Sequence, residues 1–410
     1  MLTRIEALNF RCLRYVSRSL DPFHVLVGPN ASGKTTFFDV VGFVSRLLND
    51  GLEAAIEAVT PNPLDLLFGR KGDRFELAIN VRLPDNLLPD AHGIRYELVV
   101  HVDRDAYAEI EIETTSLLPS VVDADESKAV PSTSTEGIPE SLHMDVPLES
   151  QVMTRTLRSA SFAQEVETGH DQVQRRFHTL SLPQNKSALA NLPEDETLFP
   201  ASLWLKQFLR DGIATLSIDG TRLQRPSPPE NKHRFHSGGL SMPWTVLGMS
   251  EADRAEWIEH IQTALPDIVG IRPVIRDEDR HCYLMIQYQG LAEIPQWMVS
   301  EGTLRLMALT LPAFSGQTHG VLMVEEPENG IHPKAIETVY QALSTVSDSQ
   351  VLMTTHSPVV VNIAEPADIL CFAKNKSGVV SVVRGSEHPS LIDWQHDISL
   401  GTLFAAGVLE

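Results

Sequence analysis

The 410-residue chain reads as an α/β fold whose short buried strands deliver polar residues at their C-terminal ends. Three observations predict this. Phe23-His24-Val25-Leu26-Val27 is a short apolar strand that runs straight into Gly28-Pro29-Asn30-Ala31-Ser32-Gly33-Lys34-Thr35-Thr36. Two later apolar runs, Gly320 to Val324 and Gln350 to Met353, deliver Glu325-Glu326 and His356 at their C-terminal ends. Phe75 to Leu83, Arg95 to Val102 and Ala108 to Glu113 alternate apolar and polar residues. That alternation predicts an antiparallel meander with one wet face.

The early loop has the spacing of a phosphate cradle: a glycine, four residues, then Gly-Lys-Thr. Gly28 and Gly33 permit backbone turns that a side chain would block. Successive N–H groups then point inward at phosphate oxygens, and a helix starting near Gly33 adds its positive end. Lys34 supplies a point charge for the β- and γ-phosphates, and the Thr35 hydroxyl a ligand for Mg²⁺. The ligand read from these residues, Gly28 through Thr36, is a nucleoside triphosphate.

Composition narrows the class. Hydrophobic residues make up 42% and charged residues 21%, as in ordinary globular proteins. There is no apolar run of 18 residues, so no membrane span and no membrane partner are expected. Met1 to Glu6 lacks the apolar core of a signal peptide. Cys12, Cys282 and Cys371 are scattered and odd in number, which fits a reducing cytoplasm without disulfides or zinc. A net charge of −21 is not the footprint of a nucleic-acid binder. Contact through a local patch or a partner stays open.

Along the chain, Leu2 to Phe10 and Tyr15 to Leu20 read as strands, and Lys34 to Leu48 as a helix with apolar residues at Phe37, Val40, Val41, Val44, Leu47 and Leu48. Arg11, in the turn after the first strand, reads either as a phosphate or base contact or as a surface arginine. Asp123 to Ser127 is acidic and Pro131 to Glu136 is Ser/Thr/Pro-rich, so Pro119 to Ser150 reads as a flexible insertion. Val152 to Leu182 has weak helical character. Leu198 to Leu209 reads as a helix. Arg222, Arg225, Lys232, His233, Arg234 and His236 form the one basic stretch, read as a phosphate or partner contact or as a solvated proline-rich loop. Ser250 caps a helix to Leu265, and Ile271 to Ile275 and Cys282 to Tyr288 read as strands. The expected divisions are 1–118, 119–195, 196–285 and 286–410. No sustained heptad pattern appears, which excludes a long coiled-coil arm, and no internal repeat is seen.

The second set of chemical groups follows from α/β geometry, where sites gather at the C-terminal ends of parallel strands. Glu325 is placed to hold Mg²⁺. Glu326 is placed to take a proton from the attacking water. His356 is placed to hydrogen-bond the γ-phosphate or that water. Ser300-Glu301-Gly302 opens an apolar helix and reads as a second anion site, one that makes sense if it faces a nucleotide held by another copy.

The order of these four elements resembles the ABC-type ATPases, in the RecF/SMC/OLD-like branch. Glu325-Glu326-Pro327-Glu328-Asn329-Gly330-Ile331-His332-Pro333 resembles a Walker B motif and D-loop, Ser300 to Arg305 a signature, and Thr355-His356-Ser357-Pro358 a histidine switch. The resemblance covers residues 1–50 and 290–365 well and the middle weakly. It implies an ABC-type head formed by both chain ends, an inserted α/β lobe, and two heads clamping two ATP molecules. Ser300 and Gly302 of one copy would then contact the γ-phosphate on the other, with His332 near the seam. The implied partners are ATP with Mg²⁺, a second copy, a separately encoded nuclease or toxin effector, and DNA. Three departures stand out. The first acid is Glu325 where most of the superfamily has Asp, which predicts slow turnover. No Q-loop glutamine is assignable. The chain reaches Glu410 soon after the histidine, so no toprim-type nuclease domain is expected to follow.

The expected function is an ATP-driven switch in DNA maintenance or in defence against foreign DNA. The alternative is an ATP-locked scaffold that holds a toxin or nuclease, which the acidic insertion favours. A transporter subunit is disfavoured because neither a Q-loop nor a signature with two adjacent glycines is present. A GTPase is disfavoured because there is no Asn-Lys-x-Asp motif.

Overall fold

The computed structural model describes residues 1–89, 91–119, 138–144, 147, 150–156, 158–165, 177–230, 235, 238–317, 320–347, 349–375, 378–391 and 398–409. The strands in chain order open with β1 (Leu2–Phe10), β2 (Leu13–Ser19) and β3 (Phe23–Val27). Next come β4 (Arg74–Arg82), β5 (Gly93–Val102), β6 (Ala108–Leu118), β7 (Gln151–Thr156), β8 (Ser159–Ala163) and β9 (Phe177–Ser181). The rest are β10 (Ile213–Leu216), β11 (Ile268–Ile275), β12 (Cys282–Tyr288), β13 (Ile294–Pro295), β14 (Val321–Glu325), β15 (Gln350–Thr354), β16 (Ile369–Lys374) and β17 (Val380–Arg384).

The chain forms two discontinuous compact units. The first combines Met1–Asp21, Pro29–Ile213 and Phe372–Val383. The second combines Pro22–Gly28, Ala214–Cys371 and Arg384–Glu410.

In the first unit an eight-stranded antiparallel sheet runs β2-β1-β4-β5-β6-β7-β8-β9. The helix Lys34–Asp50 buries the apolar stripe expected for it, including Phe37, Val40, Val41, Val44, Leu47 and Leu48. Two expectations are corrected. Val152 to Leu182 is not helical where it is described: it supplies β7, β8 and β9, which extend the meander. Its β-branched and small residues pair with β6 across the sheet, and that tertiary pairing outweighs a weak local preference.

The meander also lacks the wet face that alternation predicted. Arg95 and Glu97, both on one face of β5, are 3% and 5% exposed. The strap 138–144 covers them. Arg95 pairs with Glu6 and with Glu97 (2.6 Å) and donates to the Leu142 carbonyl (3.0 Å). Glu97 accepts from Thr114, His143 and the Met144 amide. Glu76 accepts from Ser141 and the Leu142 amide. These charges are buried because each is paired and hydrogen-bonded. Part of the expected flexible insertion is thus an ordered cover. Asp123–Ser127, Pro131–Glu136, Lys232, His233, Arg234 and His236 lie outside the described residues.

The second unit carries a sheet in the order β10-β14-β15-β3-β16, in which β14, β15, β3 and β16 are parallel, with β16 passing into the first unit beside β17. Val321–Val324, Val351–Met353 and Val25–Val27 are buried throughout, as strands covered on both faces must be. A three-stranded sheet, β11-β12-β13, packs with the helices Met242–Gly248 and Glu251–Gln262. Ser250 caps the latter by accepting from the Asp253 amide (3.1 Å). Trp257 on that helix is fully buried, and its Nε1 donates to Thr310 Oγ1 (2.9 Å), which anchors the helix Glu301–Thr310.

Candidate nucleotide site

The loop Pro29–Thr36 belongs to the first unit. Gly33 has φ +103°, a conformation that favours glycine, and a Cβ there would press on the side chains of Val380, Cys12 and Leu13 at 3.2–3.3 Å. Lys34 Nζ donates to the Pro29 carbonyl (3.0 Å), folding the ammonium over its own loop. Ser32 Oγ is buried and meets no hydrogen-bond partner. Thr35 is exposed at the first turn of the helix. Thr36 is buried, and its hydroxyl accepts from Cys12 Sγ (3.2 Å). An orphaned hydroxyl, a lysine resting on a carbonyl and an open threonine fit a phosphate ligand with Mg²⁺. Arg11 is ion-paired with Asp39 of the following helix, and burial pushes the Asp39 carboxyl up against the pull of that arginine.

The strand ends meet in the second unit. Glu325 is level with Thr354 across β14 and β15, and Thr354 is level with Leu26 across β15 and β3. Gly28, Glu325, Glu326 and His356 therefore leave the sheet at one edge, and Pro29–Thr36 continue from Gly28. Glu325 is exposed at the end of its strand. Glu326 adopts φ +43°, unusual for a residue with a Cβ. Its amide donates to both the Thr354 carbonyl (3.1 Å) and Thr354 Oγ1 (3.2 Å), which hold the bend. The bend brings Glu326 Oε1 to 3.6 Å from His356 Nε2.

Ser300 is the N-cap of the helix Glu301–Thr310, and its hydroxyl accepts from the Thr303 amide (3.2 Å). Ser300 is exposed, and Gly302 lies against the turn after β14. His332 caps the helix Pro333–Ser344 through Nδ1. Gln296, just before the signature, is buried and bonded to Leu284, Leu223 and Arg225, so it is consumed internally. Three residues given no role by motif reading also shape this edge. Glu328 bonds Thr355 and His356, Asn329 bonds Glu326, and Arg305 bonds the Asn329 carbonyl. The contacts of Glu328 and Arg305 run between segments 24 to 28 residues apart in sequence, which no local pattern signals.

Residues 23–362 match the family described as "AAA domain, putative AbiEii toxin, Type IV TA system". The chain belongs to this family. Among curated proteins, an OLD nuclease of Thermus scotoductus is 21% identical over 441 residues, covering 98% of this chain and 68% of that protein. Two solved structures share the fold. The Smc head bound to the C-terminal winged-helix domain of ScpA has a TM-score of 0.55 at 15% identity, over 93% of this chain and 97% of that one. The Smc head with an extended coiled coil bound to the C-terminal domain of ScpA from Pyrococcus furiosus has a TM-score of 0.54 at 12% identity, over 93% and 95%. This AAA-domain chain has the α/β fold of the Smc heads and is distantly similar in sequence to an OLD nuclease. Among the described residues, no helix is long and apolar enough to cross a membrane.

Proposed function

We propose that this AAA-family protein binds ATP with Mg²⁺, closes on a second copy of itself, and hydrolyses the nucleotide slowly as the timer of a conformational switch. The observation that carries the reading is the parallel register that delivers Gly28, Glu325, Glu326 and His356 to one edge. Pro29–Thr36 hold the phosphates, with Lys34 on the β- and γ-oxygens. Thr35 and Glu325 hold Mg²⁺, which neutralises phosphate charge. Glu326 takes the proton of the attacking water, and His356 holds the γ-phosphate or that water. Ser300 and Gly302 meet the γ-phosphate bound by the other copy. Ser300 Oγ turns from its own helix cap to do so.

The setting we propose is DNA maintenance or defence against foreign DNA in the cytoplasm, with a separately encoded nuclease or toxin as effector. The name of the OLD nuclease relative supports it. A second reading, an ATP-locked scaffold that holds a toxin or nuclease, draws on the toxin and type IV system in the family's description. The test is the mass of Glu326→Gln with and without ATP·Mg²⁺, by light scattering after size exclusion. The switch requires an ATP-dependent doubling that Ser300→Arg abolishes. An unchanged mass with ATP demonstrably bound overturns head-to-head closure. DNA-stimulated turnover with steep salt dependence favours direct action on DNA, and a stoichiometric co-purifying protein favours the scaffold.

A further inference from the structure

We propose that the dipeptide Glu328-Asn329 is the positioning element of this site: Asn329 aims the Glu326 carboxylate, and Glu328 fixes the turn that carries His356. The inference rests on Glu326 as the base and deepens that reading.

The Glu326 side chain is 41% exposed at a bend and has several rotatable bonds. Left alone, it would sample many directions. Asn329 Nδ2 donates to Glu326 Oε2 at 2.7 Å, and the Asn329 amide donates to the Glu326 carbonyl at 3.0 Å. One carboxylate oxygen is thereby held, and the other, Oε1, is turned toward His356. Asn329 is itself anchored: its carbonyl accepts from Arg305 Nη1 (3.2 Å), and Arg305 Nε donates to Glu301 (2.9 Å).

Glu328 acts on the other member of the pair. Its Oε1 accepts from Thr355 Oγ1 (2.8 Å) and from the His356 amide (2.7 Å). Its Oε2 is buried and meets no hydrogen-bond partner. A buried, half-satisfied carboxylate costs more than an apolar residue of the same size. What it secures here is the backbone of the two residues at the end of β15. Neighbouring residues of one turn thus set both Glu326 and His356, and so the gap between them.

The experiment measures kcat and KM for ATP, nucleotide affinity and melting temperature for the wild type and for Asn329→Ala, Asn329→Asp, Glu328→Ala, Glu328→Gln and Glu326→Gln. Losing a hydrogen bond to a charged group is expected to lower kcat by roughly ten- to a hundredfold in Asn329→Ala, with affinity unchanged. Asn329 is exposed, so its melting temperature should hold. Asn329→Asp should be slower still, because a carboxylate replaces the donor beside Glu326. Glu328→Ala should lose kcat, and Glu328→Gln, which keeps a carbonyl oxygen for Thr355 and His356, should recover most of it. A purely structural turn would instead make Asn329→Ala and Asn329→Asp alike and let kcat track melting temperature. That pattern, or wild-type kcat in both Asn329 variants while Glu326→Gln is inactive, overturns the inference and leaves the base assignment standing. Wild-type turnover in Glu326→Gln removes the base assignment and this inference with it.

Discussion

Gly302 and Gly330 touch through a contact that no side chain fits. A Cβ at 302 would sit 2.9 Å from the Gly330 carbonyl oxygen, closer than real Cβ atoms approach. Gly302 opens the signature helix and Gly330 closes the turn after β14, so the two segments approach backbone to backbone. Gly302→Ala must push them apart. ATP turnover is expected to fall about tenfold, the effect of roughly 1.4 kcal/mol on a barrier. Nucleotide affinity should be retained, because Pro29–Thr36 are untouched. Steady-state ATPase assays and nucleotide titration check both halves.

Lys34 is expected to dominate nucleotide affinity. Its ammonium rests on the Pro29 carbonyl, a neutral acceptor that a phosphate oxygen outcompetes. Lys34→Ala should weaken ATP binding by roughly 1.5–3 kcal/mol, the range for a hydrogen bond to a charged group. Isothermal titration gives the number, and unchanged affinity would remove the loop from the site.

The strap over the meander makes a prediction about stability. Arg95 balances Glu6 and Glu97 out of water. Arg95→Ala leaves both carboxylates buried without their partner and should cost about 3–5 kcal/mol in chemical denaturation. Replacing Glu6, Arg95 and Glu97 together by Gln, Met and Gln should cost less, because no uncompensated charge then remains and each Gln keeps a carbonyl oxygen for the donors to Glu6 and Glu97.

Thiol chemistry follows from burial. Burial pushes the Cys282 thiol up to about 11 and the Cys371 thiol up to about 12. Cys12 is half-buried beside the phosphate loop. At pH 8 an alkylating reagent should label Cys12 alone in the native protein and all three thiols after denaturation, as read by mass spectrometry. The sign of the pH effect is set by the folded state holding the proton longer. Below the ordinary value of 9 both states are protonated and the burial contribution is intact. As pH rises from 9 toward 12 the unfolded thiols ionise first and stability falls. A melting temperature that rises across that window would contradict these burials.

Much of the architecture is legible in the sequence because its signals are local. Phe23–Val27 followed by a glycine-spaced loop, and apolar runs ending at Glu325 and at His356, follow from strand burial and strand length. The Ser250 cap follows from a hydroxyl placed three residues before an amide it can satisfy. What the sequence misreads is where a local pattern meets a distant partner. Alternation along β5 is the same whether its polar face meets water or a strap from residues 138–144. Only the hydrogen bonds of Glu76, Arg95 and Glu97 decide between them.

By itself, the sequence determined that the chain carries a phosphate loop, two adjacent acids and a histidine, each at the end of a buried strand. Backbone torsions and apolar runs act over a few residues, so they can be read in one dimension. The tertiary structure alone decided that parallel register levels Glu325 with Thr354 and Thr354 with Leu26. It alone decided that Glu326 bends into a left-handed conformation toward His356, that Asn329, anchored by Arg305, holds its carboxylate, and that Glu328 holds the turn of His356. Those contacts join residues up to 28 apart in the chain, and only folding sets the distances between them.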